Sequence, residues 1–194
     1  MSNVTEFDPT NARTRLLELV RALAYRDGLD IVLASGKRST FYIQGKQVTL
    51  HPEGLYLLSR LLLRDLEQYP EVTAIGGLTL GADPIASAMA AQSFVTGQNL
   101  KAFLVRKESK GHGVGSQIEG DLQAGEKVAI IEDTVTTGGS ARKAIDAVVA
   151  VGAEPVVVYA LADREDPDAD EFRAEYNVRP LFGLDEIRDQ KPTR

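Results

Sequence analysis

The stretch Val128-Ala129-Ile130-Ile131-Glu132-Asp133-Thr134-Val135-Thr136-Thr137-Gly138-Gly139-Ser140 decides the fold. Its first four residues are apolar without alternation, which predicts a strand buried on both faces. Two acids end that run. A turn of hydroxyls and glycines follows, and from about Gly139 a helix runs to Val151, where Gly152 can terminate it. A buried strand that feeds a helix through a glycine turn is one unit of a parallel α/β sheet.

The same unit recurs on either side. Val72–Gly76 reads as a strand, Gly77-Leu78-Thr79-Leu80-Gly81-Ala82 as a loop, and Asp83-Pro84 starts an Ala-rich helix to about Val95. Leu100–Val105 and Val156–Leu161 are further apolar strands, and Arg179–Phe182 is a short last one. The order predicts an α/β fold with a doubly wound, mostly parallel sheet flanked by helices. Ligands of such sheets sit beyond the carboxyl ends of the strands, which directs attention to the exits after Ile131, Val105 and Leu161. Upstream, Leu16, Leu17, Leu19, Val20, Leu23 and Ala24 recur at helical spacing and predict one amphipathic helix from Thr10 to Asp27. Ile31–Leu33 and Phe41–Ile43 read as short extended pieces around a polar turn, and Pro52 opens a Leu-rich helix through Tyr69. Asp163–Asp170 reads as a solvated acidic loop.

At 194 residues the chain fits one domain, 1–194. A hydrophobic share of 43% against 26% charged residues is enough for a sizeable core and excludes global disorder. The net charge of −6 argues against nucleic-acid binding by bulk charge, so any anion site must be a local cluster. The absence of cysteine excludes disulfides, thiolate nucleophiles and Cys-ligated metals, and only His51 and His112 supply imidazole. His51, just before a helix, reads as a surface or capping residue. No apolar run approaches the roughly 18–20 residues of a membrane span, and the start lacks a signal-peptide pattern, so a cytoplasmic protein without membrane contact is expected.

Each part of the opening stretch has a chemical use. Adjacent carboxylates at a strand end can accept hydrogen bonds from a cis-diol, as a ribose presents, or meet a magnesium-bound ligand. The turn behind them exposes backbone N–H groups at the positive end of a helix dipole, which suits a phosphate monoester. Thr136, Thr137 and Ser140 add hydroxyls. The bland alternative, two surface acids and a capping hydroxyl, would hold for a lone acid pair; the strand before and the glycine turn behind favour the sugar-phosphate reading. The chain has no G-x-x-x-x-G-K-[ST], and Gly111, Gly113 and Gly115 do not complete a G-x-G-x-x-G after a strand. Nucleotide triphosphatase and dinucleotide readings lose their main support.

The Glu132–Ser140 segment resembles the 5-phosphoribosyl 1-diphosphate (PRPP) motif of type I phosphoribosyltransferases. A second stretch narrows the resemblance. Arg106-Lys107-Glu108-Ser109-Lys110-Gly111-His112-Gly113, followed by Gln117-Ile118-Glu119-Gly120, is similar to the catalytic loop of the orotate phosphoribosyltransferase family. Three cations and a histidine diluted by glycine are suited to closing over a leaving diphosphate and excluding water, although most charge runs are solvated hairpin tips. The resemblance implies that Arg106, Lys107, Lys110 and His112 contact PRPP, with Lys107, Lys110 and His112 catalytic, His112 or Lys110 as proton donor. It also implies that PRPP is held by Glu132, Asp133, Thr134, Val135, Thr136, Thr137, Gly138, Gly139 and Ser140. Part of the loop would reach a neighbouring subunit's site, so a homodimer is implied.

At the third exit, an arginine can grip a planar carboxylate with two parallel hydrogen bonds, or it can pair with Asp163 or Glu165. In the family an arginine in an Asp-Arg-x-Glu setting, similar to Asp163-Arg164-Glu165-Asp166 here, binds orotate, which implies Arg164 as the orotate anchor with Thr136 as a second contact. Ser35–Ile43 followed by Lys46–Leu50 resembles the family's N-terminal hood, here about residues 1–50. Core packing is the reading for Phe41 and Tyr42, with an aromatic lying against the base as the alternative. Two family lysines are missing, one at Ala34 and one in the Gly77–Ala82 loop, and Lys37, Arg38 and Lys46 are the cations nearest to stand in.

The resemblance spans roughly Ser35 to Glu165. It implies transfer of the 5-phosphoribosyl group from PRPP to N1 of orotate, giving orotidine 5′-monophosphate and diphosphate in de novo pyrimidine synthesis. Mg2+ would be bound mainly through PRPP, with no separate protein metal site. The rival readings are a transferase for another nucleobase, a PRPP-sensing regulator without turnover, and a generic nucleotide-binding α/β protein.

Overall fold

The computed structural model describes residues 7–32, 36, 38–108 and 117–189. Asp8 caps helix α1 (Pro9–Leu19) by accepting from the Thr10 and Asn11 N–H groups, and the helix passes into a π-helical turn, Val20–Ala24. The expected single helix to Asp27 stops there. Tyr25–Arg26 (β1) instead pairs antiparallel with Tyr42–Ile43 (β4), and between them Ile31–Val32 (β2) pairs with Arg38–Ser39 (β3). The two small ribbons form the hood, and inter-strand pairing over-rides helical propensity at Tyr25 and Arg26.

A short helix α2 (Lys46–Thr49) leads into α3 (Pro52–Leu66), where His51 caps by accepting the Gly54 N–H on Nδ1. The capping reading of His51 is correct. The core units follow: β5 (Val72–Leu78), α4 (Asp83–Thr96), β6 (Lys101–Val105), β7 (Ile118–Glu119), β8 (Lys127–Val135), α5 (Gly139–Ala150) and β9 (Glu154–Asp163). A 3-10 turn at Pro167–Ala169, α6 (Asp170–Glu175), β10 (Val178–Gly183) and α7 (Leu184–Arg188) complete the described chain.

The main sheet has the order β10-β9-β8-β5-β6-β7, parallel throughout except for the β6–β7 hairpin. Helices cover both faces. One apolar layer packs α1, α3 and α4 against Ile75, Ile131, Tyr159 and Phe182, and the other packs α5 and α6 against Phe103, Val128, Ile130 and Val158. This is the doubly wound architecture that continuous apolar strands predict. Among the described residues no helix is long and apolar enough to cross a membrane.

Two expected boundaries need correction. Glu132–Val135, expected as a turn, are the last four residues of β8, because the ladder with β9 continues through Thr134 opposite Ala162 and Val135 opposite Asp163. Asp163–Asp170 is not a solvated loop throughout: Asp163 ends β9, and Asp163, Arg164 and Ala169 are buried.

Candidate active site

Strands β8 and β9 are parallel neighbours, so their carboxyl ends lie side by side. The backbone joins them once more beyond the ladder, where the Arg164 N–H donates to the Val135 carbonyl at 3.0 Å. The acid-bearing segment and Arg164 therefore share one edge of the sheet.

Glu132 is buried, and burial together with the neighbouring Asp133 pushes its carboxyl up to about 8. Asp133 accepts from the Thr134 N–H on Oδ1 at 2.9 Å and from Lys46 Nζ on Oδ2 at 3.1 Å. The loop after β5, in which the resemblance expects a lysine, passes backbone-first against these acids: a Cβ on Gly81 would lie 2.7 Å from Glu132 Oε1 and 3.0 Å from Asp133 Oδ1. A side chain at that residue would displace the Glu132 carboxyl.

Beyond Val135 the chain turns through Thr136, Thr137 and Gly138 into α5. Gly138 has φ +77°, and a Cβ there would meet the Phe172 ring at 2.4 Å, so this turn requires glycine on two counts. Glu132 and residues 134–141 line a hollow of about 70 Å3 at the amino end of α5. Backbone N–H groups, hydroxyls and the helix dipole meet there, in a space of phosphate size. Among the residues assigned to PRPP, Glu132 and Thr134–Ser140 share this hollow, with Asp133 at its rim.

Arg164 is buried, at 7% exposure, and burial lowers its pKa. It makes neither of the expected ion pairs. Asp163 instead accepts Arg173 Nη1 on both oxygens at 3.0 Å, and its Oδ1 also accepts the Glu165 N–H at 2.8 Å. Successive residues at a strand end point to opposite sides, which gives Asp163 to α6 and turns Arg164 towards the hood. There its guanidinium lies 4.6 Å from the Phe41 ring centroid, and Nη2 donates to Ser39 Oγ at 3.3 Å. Its Nε has no partner among the described residues. Residues 38–41, 164–167 and Leu184 enclose a cleft of about 340 Å3. Phe41 is half-buried beside Arg164 and Tyr25, while Tyr42 is exposed, so core packing describes Phe41 alone.

Strands β6 and β7 pair Leu104 with Glu119 and Val105 with Ile118, and the Arg106 N–H donates to the Gln117 carbonyl. Both ends of the cationic loop are thereby held at the sheet edge. Arg106 is exposed and pairs with Glu119 at 3.1 Å, and Lys107 is exposed. Lys110 and His112 lie outside the described residues. Sequence reading named Lys46 only as one of three cations that could stand in for the missing lysines, and it missed Gly81 and Arg173, whose partners stand far away in the chain or belong to a backbone approach that composition does not record.

No family model matches the chain. An orotate phosphoribosyltransferase of Nostoc sp. is 45% identical over 168 residues, 86% of this chain and 80% of that protein. Its counterpart from Aquifex aeolicus is 43% identical over 90% of this chain and 97% of its own. The orotate phosphoribosyltransferase of Mycobacterium tuberculosis H37Rv superposes with a TM-score of 0.78 at 38% identity in complex with Fe(III) dicitrate, covering 91% of this chain and 99% of that one. In complex with PRPP the same enzyme gives a TM-score of 0.73 at 36% identity, over 91% and 98% of the two chains. With identity at this level along nearly the whole length and the sheet order just described, the chain belongs to the orotate phosphoribosyltransferase family.

Proposed function

We propose that the chain transfers the 5-phosphoribosyl group of PRPP to N1 of orotate, releasing diphosphate and orotidine 5′-monophosphate, and that the edge shared by β8 and β9 is where it does so. The observation that carries this reading is the Arg164–Val135 backbone contact, which puts a buried, incompletely satisfied guanidinium beside an acid pair and a phosphate-sized hollow. A carboxylated base and a sugar phosphate need those two features next to each other.

In this reading the 5-phosphate sits in the hollow on the N–H groups of Thr137–Ser140 and their hydroxyls. Glu132 and Asp133 accept from the ribose 2′- and 3′-hydroxyls, and Arg164 with Thr136 holds orotate so that N1 faces the anomeric carbon. As the C1–O bond to diphosphate breaks ahead of full attack, positive charge grows on the ribose. The Asp133 carboxylate nearby favours that charge, as Glu132 does once it gives up its proton, while Arg106, Lys107, Lys110 and His112 meet the negative charge growing on the diphosphate. Lys110 or His112 donates a proton to it. The N1 lone pair forms the new bond as the N1–H bond breaks and its proton leaves to solvent, so no side-chain nucleophile is needed.

Mg2+ fits the donor set through substrate oxygens. Two carboxylates on one strand suit an ion that takes one or two protein ligands plus phosphates, and among the described residues no group of three or more His, Asp or Glu forms a cage of its own. Held through PRPP at this acid pair, the ion would supply positive charge against the leaving diphosphate. The loop between β6 and β7 reaches into the partner's site in a homodimer, and the protein works in the cytoplasm.

The test is to mix protein, orotate, PRPP and Mg2+ and follow loss of orotate absorbance, with a magnesium-free control. Magnesium-dependent loss is expected. PRPP that stabilises the protein against heat without orotate being consumed would point to another nucleobase or to the sensor reading.

A further inference from the structure

Two carboxyl groups, Glu132 and Asp133, stand where the ribose would lie, and a third, Asp83, comes from a different element and feels the same lysine as they do. Glu132 and Asp133 end β8. Asp83 opens α4, directly after the loop that presses Gly81 onto both of them. One oxygen of Asp83 is buried without a partner among the described residues, and burial raises its pKa. Among the described residues, Lys46 acts on all three. Its Nζ bonds Asp133 at 3.1 Å, and it opposes the upward shifts of both Glu132 and Asp83.

The backbone holds Lys46 in this place. A Cβ on the preceding residue, Gly45, would stand 2.8 Å from Thr134 Oγ1 and 3.2 Å from Asp133 Cβ, so the start of α2 is packed directly on the end of β8. The Lys46 side chain is partly exposed while Asp133 is mostly covered, which places the ammonium at the mouth of the acid cluster.

We propose that Lys46 is a positioning residue for the ribose end of the site: by pairing with Asp133 Oδ2 it fixes that carboxylate for the diol and cancels one of the negative charges that a polyanionic sugar diphosphate would otherwise meet. The inference rests on the PRPP reading above and adds a residue from the hood to it. Loss of one cation within a few ångströms of the ligand weakens binding of a multiply charged anion, by about tenfold for a pair of this exposure. It leaves the base pocket at Arg164 untouched.

Lys46→Met keeps the aliphatic stem and removes the charge, and Lys46→Arg keeps the charge. Calorimetric titration with PRPP and Mg2+, in the absence of orotate, is expected to give about tenfold weaker binding for Lys46→Met and binding within about threefold of the parent for Lys46→Arg. In turnover, the KM for PRPP is expected to rise in Lys46→Met while the KM for orotate stays put. PRPP binding by Lys46→Met within twofold of the parent, or equal rises in both KM values, would overturn the role. If Lys46→Met is unfolded by circular dichroism, Lys46→Gln takes its place under the same criterion. Parent protein that binds PRPP but leaves orotate unchanged defeats only the orotate reading, because the titration contains no base. Parent protein that does not bind PRPP defeats both.

Discussion

The Arg164 N–H reaches the Val135 carbonyl at 3.0 Å, one step past the last paired residues of β8 and β9. Through this contact the position of Arg164 is tied to the strand that carries the acids. The Arg164 side chain is then free to act locally. Replacing Arg164 with Ala is expected to raise the KM for orotate by about 10- to 100-fold, the worth of a two-pronged charged contact, and to leave PRPP affinity unchanged. Initial rates at saturating PRPP, with orotate varied, check this. A proportionate loss of PRPP binding would mean that the two ends of the site are not separable.

Gly138 and Gly139 sit next to each other in the phosphate turn but differ in what a methyl group would meet. At Gly138 the φ of +77° and a Phe172 ring atom at 2.4 Å both oppose a side chain; at Gly139 the nearest atom is Thr137 Oγ1 at 3.5 Å. Gly138→Ala is expected to lower unfolding free energy by about 2–4 kcal/mol, and Gly139→Ala by less than about 1 kcal/mol. Urea denaturation of the two variants measures the difference directly.

Much of this site was legible from residue order alone. Strands β5, β6, β8 and β9 announce themselves by apolar runs between helices, and the Glu132–Ser140 segment by its acids and glycines. What stayed hidden was set by partners distant in sequence. Glu132–Thr134 look like a turn because they are polar, yet the ladder to β9 keeps them in a strand. Tyr25–Arg26 continue a helical pattern, yet they pair with Tyr42–Ile43. An Asp-Arg dipeptide suggests a local ion pair, but strand alternation separates the two side chains, and Arg173 claims the aspartate.

Glu132 carries a cost that a ligand would repay. Burial beside Asp133 raises its carboxyl to about 8, above the unfolded value of 4.5. Between these values the folded protein holds a proton that the unfolded chain has released, so stability falls as pH rises from about 4.5 to about 8 and levels off above. Glu132→Gln removes that dependence. The variant is expected to melt several degrees higher than the parent at pH 8 and at nearly the same temperature at pH 5, while losing PRPP affinity. Thermal melts at the two pH values, with and without PRPP, test both halves; a variant less stable than the parent at pH 8 would show that the carboxylate contributes bonds the burial argument omits.

Asp65 lies far from the site and has the opposite sign. Burial works to raise its pKa, but bidentate hydrogen bonds from Arg179 at 2.8 Å and a bond from Tyr159 Oη at 2.6 Å outweigh it, and the carboxyl is held below its usual range. Its stabilisation is present above the ordinary aspartate range and is lost as pH falls through the folded value. Asp65→Ala strands the hydroxyl of the fully buried Tyr159 and the charge of Arg179, with an expected loss of about 2–4 kcal/mol at pH 7. The loss should shrink at pH 3, where the parent has surrendered part of the same network, and urea midpoints at both pH values follow it.

Arg173 offers the sharpest separation of support from contact. It does not line the cleft at Arg164; it donates to both oxygens of Asp163 and to the Asp166 carbonyl at 2.8 Å, and pairs with Asp170. These bonds fix Asp163 just before Arg164 and Asp166 and Asp170 after it. Arg173→Met leaves the buried Asp163 carboxylate without its cation, so the turn that presents Arg164 loosens although Arg164 itself is intact. The KM for orotate is expected to rise by about 3- to 10-fold with PRPP binding preserved, and the double variant Arg164→Ala/Arg173→Met should bind orotate no worse than Arg164→Ala alone. Additive losses in that cycle would assign Arg173 an independent role; a non-additive result places its whole effect in the aim of one guanidinium.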